Sequence, residues 1–267
     1  MRIIRSDDEQ ISILSAKELG GKGYHLVQLT NNGFNVPPFI VLTSQFLADI
    51  IASVDLSSTD TQSEAFRSTY IDKVRKAIDA YEFPSVDKQV IFDHFDEYFG
   101  KDGYISVRSS GGAEDGENAS FAGQHASFLY VKRGDILDKI KACFASAWSE
   151  GVISYRVNQG IDFQEMDFAV VLQKMIFAES AGVGFSMNPS GNLADAVIVA
   201  GYGIGEGIVA DKVASDTYLI NRQDERITKM IKEKSHQLSY VEEQGLVESK
   251  VDVEKVNRAV LSDENIK

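Results

Sequence analysis

Apolar positions in the first half of the chain recur every three or four residues, the spacing of one buried helical face. Phe66, Tyr70, Val74, Ile78 and Tyr81 predict one helix. Val90, Ile91, Phe95, Tyr98 and Phe99 predict a second, starting near Ser85 after Pro84 and ending at Gly100. Residues 24–29 are helical in spacing and stop at Asn31-Asn32-Gly33, a sound C-terminal signal. Val36-Pro37-Pro38 then forces extended backbone into residues 39–42, and Thr43 or Ser44 can cap the helix that follows. Residues 104–107 read as a strand, 127–131 as its partner, and 135–157 as one or two helices. Residues 53–63 read as a polar surface loop.

The pattern then changes. Residues 167–177 form the most apolar segment and predict a strand buried on at least one face. Further strands are expected at 182–187, 194–200 and 217–221. A helix-rich first half and a strand-rich second half predict an α+β protein with a change of lobe near 160–167, where Asn158-Gln159-Gly160 supplies a break. The expected lobes are 1–165 and 166–267. Beyond Arg222 the chain turns polar, with short amphipathic stretches at 227–234 and 253–261. Ser262 with Asp263 and Glu264 reads as a helix start just before Lys267, which suggests a piece of something longer.

Composition narrows the partners. The formal net charge of −13 argues against general binding to nucleic acid or anionic membranes, so an anionic ligand must be held by locally placed cations and amides. The lone Cys143, inside a helical pattern, excludes an internal disulfide and fits burial in a reducing compartment. The N-terminus turns acidic after two apolar residues, unlike a signal peptide, and no apolar run approaches the ~18 residues of a membrane span. A soluble cytoplasmic protein is expected.

Three stretches carry candidate chemistry. Ser106-Val107-Arg108-Ser109-Ser110-Gly111-Gly112, continuing to Phe121-Ala122-Gly123-Gln124, delivers an arginine from a strand into small, hydroxylated residues suited to phosphate. The alternative is a salt bridge from Arg108 to Glu114 or Asp115. Gly20-Gly21-Lys22-Gly23 could bring an ammonium against phosphate oxygens at a helix start, or be a solvated turn. It is not a Walker A loop, because Ala16 stands where the first glycine belongs and Gly23 where Ser or Thr would hold Mg²⁺. The 201–207 turn fails the dinucleotide spacing, with Glu206 in the third glycine's place, and reads as a flexible turn near a ligand. His25, His94, His125 and His236 share no metal-ligand spacing, and His125 reads as a surface or hydrogen-bonding residue.

Taken together, 20–23, 33–39, 107–110 with 113–115 and 119–124, Tyr155-Arg156, Gln173-Lys174-Met175 and 182–186 resemble, in order, the N-terminal nucleotide-binding domain of phosphoenolpyruvate synthase and pyruvate phosphate dikinase. Rifampicin phosphotransferase is similar to the same pattern. The resemblance implies a two-lobed ATP-grasp-like fold, C-terminally incomplete, with ATP and Mg²⁺ as cofactors. It implies that Lys22 and Arg108 face the triphosphate and that Ser109 lies beside it. Ser120, Phe121, Ala122, Gly123 and Gln124 would close over the phosphates, Ser127 would lie near the nucleotide, and Gln173, Lys174, Met175 and Ile176 would face adenine from an inter-lobe strand.

The implied chemistry passes the β-phosphate of ATP to a histidine on a separate swivelling domain, so that the whole enzyme converts pyruvate, ATP and water to phosphoenolpyruvate, AMP and phosphate. Partner domains carrying that histidine and the substrate site are therefore expected, as are metal-binding carboxylates beyond Lys267 and none within the chain. Gly111-Gly112 departs from the family's usual small, hydroxylated pair. Two alternatives stand beside this reading: the ATP domain of a rifampicin phosphotransferase-like or other small-molecule dikinase, and a stand-alone, non-catalytic nucleotide-binding module.

Overall fold

The computed structural model describes residues 3–52, 54, 64–111, 115–116, 119–120, 126–158, 160, 167–190 and 192–266. The chain forms two compact units, Met1–Met175 and Ile176–Lys267. In the first, the order is β1 (Ile3–Arg5), α1 (Ala16–Asn31), β2 (Phe39–Leu42), α2 (Ser44–Ile51), α3 (Glu64–Ala80), α4 (Ser85–Phe99) and β3 (Ile105–Gly111). It continues through β4 (Asp115–Gly116), β5 (Ala119–Ser120), β6 (Ser127–Val131), α5 (Ile136–Ser146), α6 (Glu150–Asn158) and β7 (Phe168–Lys174).

Five of these strands make an antiparallel sheet in the order β1-β2-β7-β3-β6, while β4 and β5 pair with each other. Alternation along each strand divides its side chains between two cores. Ile40 and Leu42, Ile105 and Val107, and Phe168, Val170 and Leu172 pack against buried residues of α2–α5 such as Phe46, Val74, Phe95 and Phe144. Phe39 and Val41 with Ala169 and Val171 face the other way, onto Leu19 and Val27 of α1. At about 25 cal/mol per Å² of apolar surface, this two-sided burial dominates the unit's stability.

Several elements differ from expectation. Strand 168–174, assigned by pattern to the second lobe, lies in the first unit's sheet, because both its neighbours, β2 and β3, belong there. The break at 160–167 falls mostly outside the described residues, and the units divide after Met175. β3 runs on to Gly111 rather than ending at Val107, since Ser109, Ser110 and Gly111 pair with Val170, Ala169 and Phe168. Most of the expected 53–63 loop also lies outside the described residues.

The second unit holds β8 (Ser180–Phe185), β9 (Asp195–Tyr202), the short α7 (Gly205–Val209), β10 (Asp216–Asn221), β11 (Ile227–Met230), β12 (His236–Val241), β13 (Gly245–Lys250) and α8 (Asp263–Ile266). Four strands form a meander in the order β11-β10-β9-β8, and β12 and β13 form a separate hairpin. One apolar cluster has Ala200, Tyr218 and Ile266 buried with Ile198, Ile220, Val260 and Leu261 packed around them, and Ile204, Ile208, Val213 and Leu238 are buried as well. Among the described residues no helix is long and apolar enough to cross a membrane.

A buried ion pair supplements that core. Lys234 and Asp216 are both 0% exposed in their side chains, with Nζ donating to Oδ1 at 2.7 Å. Nζ also donates to the Lys232 carbonyl at 2.6 Å and lies 6.0 Å from the Tyr202 ring centre. The Asp216 carboxylate further accepts from the main-chain N–H of Lys232 and Val260 and from the Tyr218 hydroxyl. Removing one partner leaves the other charge buried without compensation. Lys234→Met is expected to lower the unfolding free energy by about 3–5 kcal/mol, read by urea denaturation; a loss below about 1 kcal/mol would contradict this account of the pair.

Candidate functional site

The first unit gathers polar side chains on one face of its sheet, the face α1 covers. The β3–β7 register sets Ser106 opposite Gln173, Arg108 opposite Val171 and Ser110 opposite Ala169, while Ser127 of β6 lies opposite Arg108. Paired residues share a face, so Arg108, Ser110, Ser127 and Gln173 stand with Ala169 and Val171 on the α1 side. Arg108 is half-buried and Ser127 exposed. Gln173 is half-buried, with Nε2 donating to the Pro37 carbonyl at 3.2 Å.

α1 meets this face through its glycines. The helix breaks at Gly20, whose φ of 67° and ψ of 171° belong to a region essentially reserved for glycine. A Cβ there would lie 2.0 Å from the Ser110 carbonyl oxygen, so only a bare α-carbon permits the approach. The Gly23 N–H donates to Ser110 Oγ at 3.0 Å, and that hydroxyl donates to the Leu19 carbonyl at 2.9 Å. Lys22, half-buried, lies inside the bracketed turn. Ahead of the break, the Glu18 carboxylate accepts from the Ser15 N–H and hydroxyl at 3.0 Å, fixing the helix entry.

The register turns other expected residues away. Ser109 is fully buried on the opposite face, its hydroxyl donating to the Ala126 carbonyl at 3.0 Å, so its side chain is committed within the fold. Lys174 pairs with Ile105 and shares that opposite face, exposed at the strand end. Met175 is held by its main chain, whose N–H donates to the Tyr104 carbonyl at 2.9 Å. Ile176, 52% exposed, opens the second unit. Ser120 contributes backbone to β5, while Phe121, Ala122, Gly123, Gln124 and His125 lie outside the described residues.

Two further readings are settled by packing. Cys143 is buried against β3, and burial pushes its thiol up from 9.0 to about 12, against the Ser109 backbone hydrogen bond and the Lys22 and Lys139 charges. It is a core residue rather than a nucleophile. The glycine-rich 201–207 turn is a packing junction, because a Cβ on Gly203 would come 2.2 Å from the Leu238 carbonyl oxygen and one on Gly207 3.1 Å from the Leu238 Cβ. Ser110 stands beside Arg108 on the α1 face. The strand alternation carried past Val107 would have separated it from Ser109 and put it beside Arg108.

Residues 16–267 match the family of the pyruvate phosphate dikinase AMP/ATP-binding domain. The chain belongs to that family. A probable phosphoenolpyruvate synthase of Methanocaldococcus jannaschii is 33% identical over 93% of this chain and 22% of its own length. The phosphoenolpyruvate synthase of Pyrococcus furiosus is 29% identical over 85% of this chain and 33% of its own. Rifampicin phosphotransferase of Bacillus cereus is 33% identical over 80% and 26%. The chain thus spans between about a fifth and a third of the length of these relatives.

Two outcomes follow from the geometry. Gly20→Ala strains the backbone and drives a methyl into Ser110, and is expected to cost about 3 kcal/mol or more in unfolding free energy, measured by urea denaturation. The Cys143 thiol stays protonated and buried at pH 8, so a thiol reagent is expected to label the chain only after denaturant is added. Because its folded pKa is raised, its contribution to stability is complete below about pH 9 and is lost as pH climbs towards 12.

Proposed function

We propose that the chain is the ATP-grasp-like, ATP-binding part of a phosphoenolpyruvate synthase-like dikinase. In this reading Lys22 and Arg108 hold the triphosphate on the α1 face of the first unit's sheet, and Ser127 and Gln173 line the same face. The observation that carries it is the seating of the Gly20–Gly23 turn on the Ser110 end of β3, within two residues of Arg108, in a chain of an AMP/ATP-binding family. A helix start presents unpaired N–H groups and the positive end of its dipole, both suited to phosphate oxygens.

The chemistry is transfer of a phosphoryl group from ATP to a histidine carried by another domain. Such a step needs little covalent work from the nucleotide domain, which positions the triphosphate and offsets charge that develops on the leaving oxygen. Lys22 supplies a compact ammonium and Arg108 a planar, permanently charged fork. Among the described residues no group of three or more His, Cys, Asp or Glu side chains could hold a metal. Mg²⁺ would accompany the nucleotide, and no step is routed through it. The final acceptor belongs to the rest of a longer protein, and relatives named for phosphoenolpyruvate synthesis and for rifampicin phosphorylation support the same ATP chemistry with different ends.

Calorimetric titration with Mg-ATP tests the assignment. The chain is expected to bind, and Lys22→Ala and Arg108→Ala are each expected to weaken binding by roughly 10- to 100-fold, as loss of a charge-assisted contact does. No binding by the unaltered chain would remove the ATP site. Undiminished binding by both variants would remove these two residues from it.

A further inference from the structure

We infer that Ser110 is a positioning residue, whose single hydroxyl sets where Lys22 stands relative to Arg108. The inference rests on the ATP reading above and deepens it, giving the Ser110 hydroxyl a role of its own at the seat of the turn. Ser110 Oγ accepts from the Gly23 N–H and donates to the Leu19 carbonyl, and both partners belong to α1 while Ser110 belongs to β3, some 90 residues later. Leu19 and Gly23 bracket Gly20, Gly21 and Lys22, the three residues around the helix break. One side chain thus spans the break.

The same residue is tied to the second cation. Ser110 and Arg108 are alternate residues of one strand, so their side chains leave the same face about 7 Å apart along it. The Gly20 α-carbon rests on the Ser110 carbonyl with no room for a Cβ, which fixes the height of the turn above the strand. With both groups fully buried, neither the Leu19 carbonyl nor the Gly23 N–H has water to turn to if the hydroxyl is removed. The turn must then shift to find new partners, and Lys22 shifts with it.

A double-mutant cycle in Mg-ATP binding separates positioning from plain stabilisation. Ser110→Ala is expected to weaken binding about tenfold. In the Lys22→Ala background the same change is expected to add no more than about twofold, because the residue it positions is already gone. Hydrogen exchange at the Gly23 amide is expected to quicken in Ser110→Ala. If Ser110→Ala does not fold by circular dichroism, Ser110→Cys, which keeps the volume and a weak donor, runs the same cycle. A full, multiplicative loss in the double variant would overturn the inference, as would wild-type affinity in a folded Ser110 variant, with the ATP reading intact in both cases. Absence of ATP binding by the unaltered chain would overturn both together.

Discussion

Seven consecutive residue pairs between β3 and β7 decide what each side chain of the first unit can do. Because the side-chain period of a strand is two, this one register sorts Ile105, Val107 and Ser109 to the face packed by α2–α5, and Ser106, Arg108 and Ser110 to the face under α1. A slip of one residue would bury the Arg108 guanidinium among Phe144, Val170 and Leu172, at a desolvation cost that no partner there could offset. The hydrophobic cores on both faces therefore protect the polar arrangement as strictly as they stabilise the fold.

That arrangement matters more in a chain with a net charge of −13. The long-range field repels anions, and with a screening length near 8 Å at physiological salt only cations beside the ligand act on it. In the proposed reading, Lys22 and Arg108 are a local exception to the field. Their effect depends on spacing held by the backbone, since a lysine or arginine on a long flexible side chain loses much of its Coulomb gain to entropy when nothing orders it.

The long helices of the first unit were legible because their apolar spacing coincides with the surface they bury, as in Phe66, Tyr70, Val74 and Ile78 of α3. β3 was half legible: Ile105 and Val107 declare a strand, but Ser109, Ser110 and Gly111 carry turn composition and are held extended only by their partners on β7. β1, three residues long, and the β12–β13 hairpin were missed. The hairpin has only Leu238 buried along both strands, so its apolar signal is weak. The candidate cations and the glycine turn could be read from composition. Which of Ser109 and Ser110 faced them could not, because adjacent strand residues differ only in parity, and parity is set by a partner strand about 60 residues away.

The two units are stabilised by different means. The first has enough apolar surface on both sides of its sheet to bury a continuous core. The second lays its C-terminal segment over its meander, where Ile198 and Tyr218 meet Val260, Leu261 and Ile266. Apolar contact of that extent specifies register weakly, since Val260 and Leu261 are nearly interchangeable as hydrophobic groups. The Asp216 carboxylate removes the ambiguity by accepting from four donors at once: Lys234 Nζ, the Lys232 and Val260 N–H groups, and the Tyr218 hydroxyl, which itself accepts from the Leu261 N–H. Sliding the C-terminal segment by one residue would break two of these bonds while leaving hydrophobic burial almost unchanged. The buried pair thus contributes specificity of register, and its lysine reads in sequence as one more charge in a polar tail because its partner lies 18 residues earlier on β10.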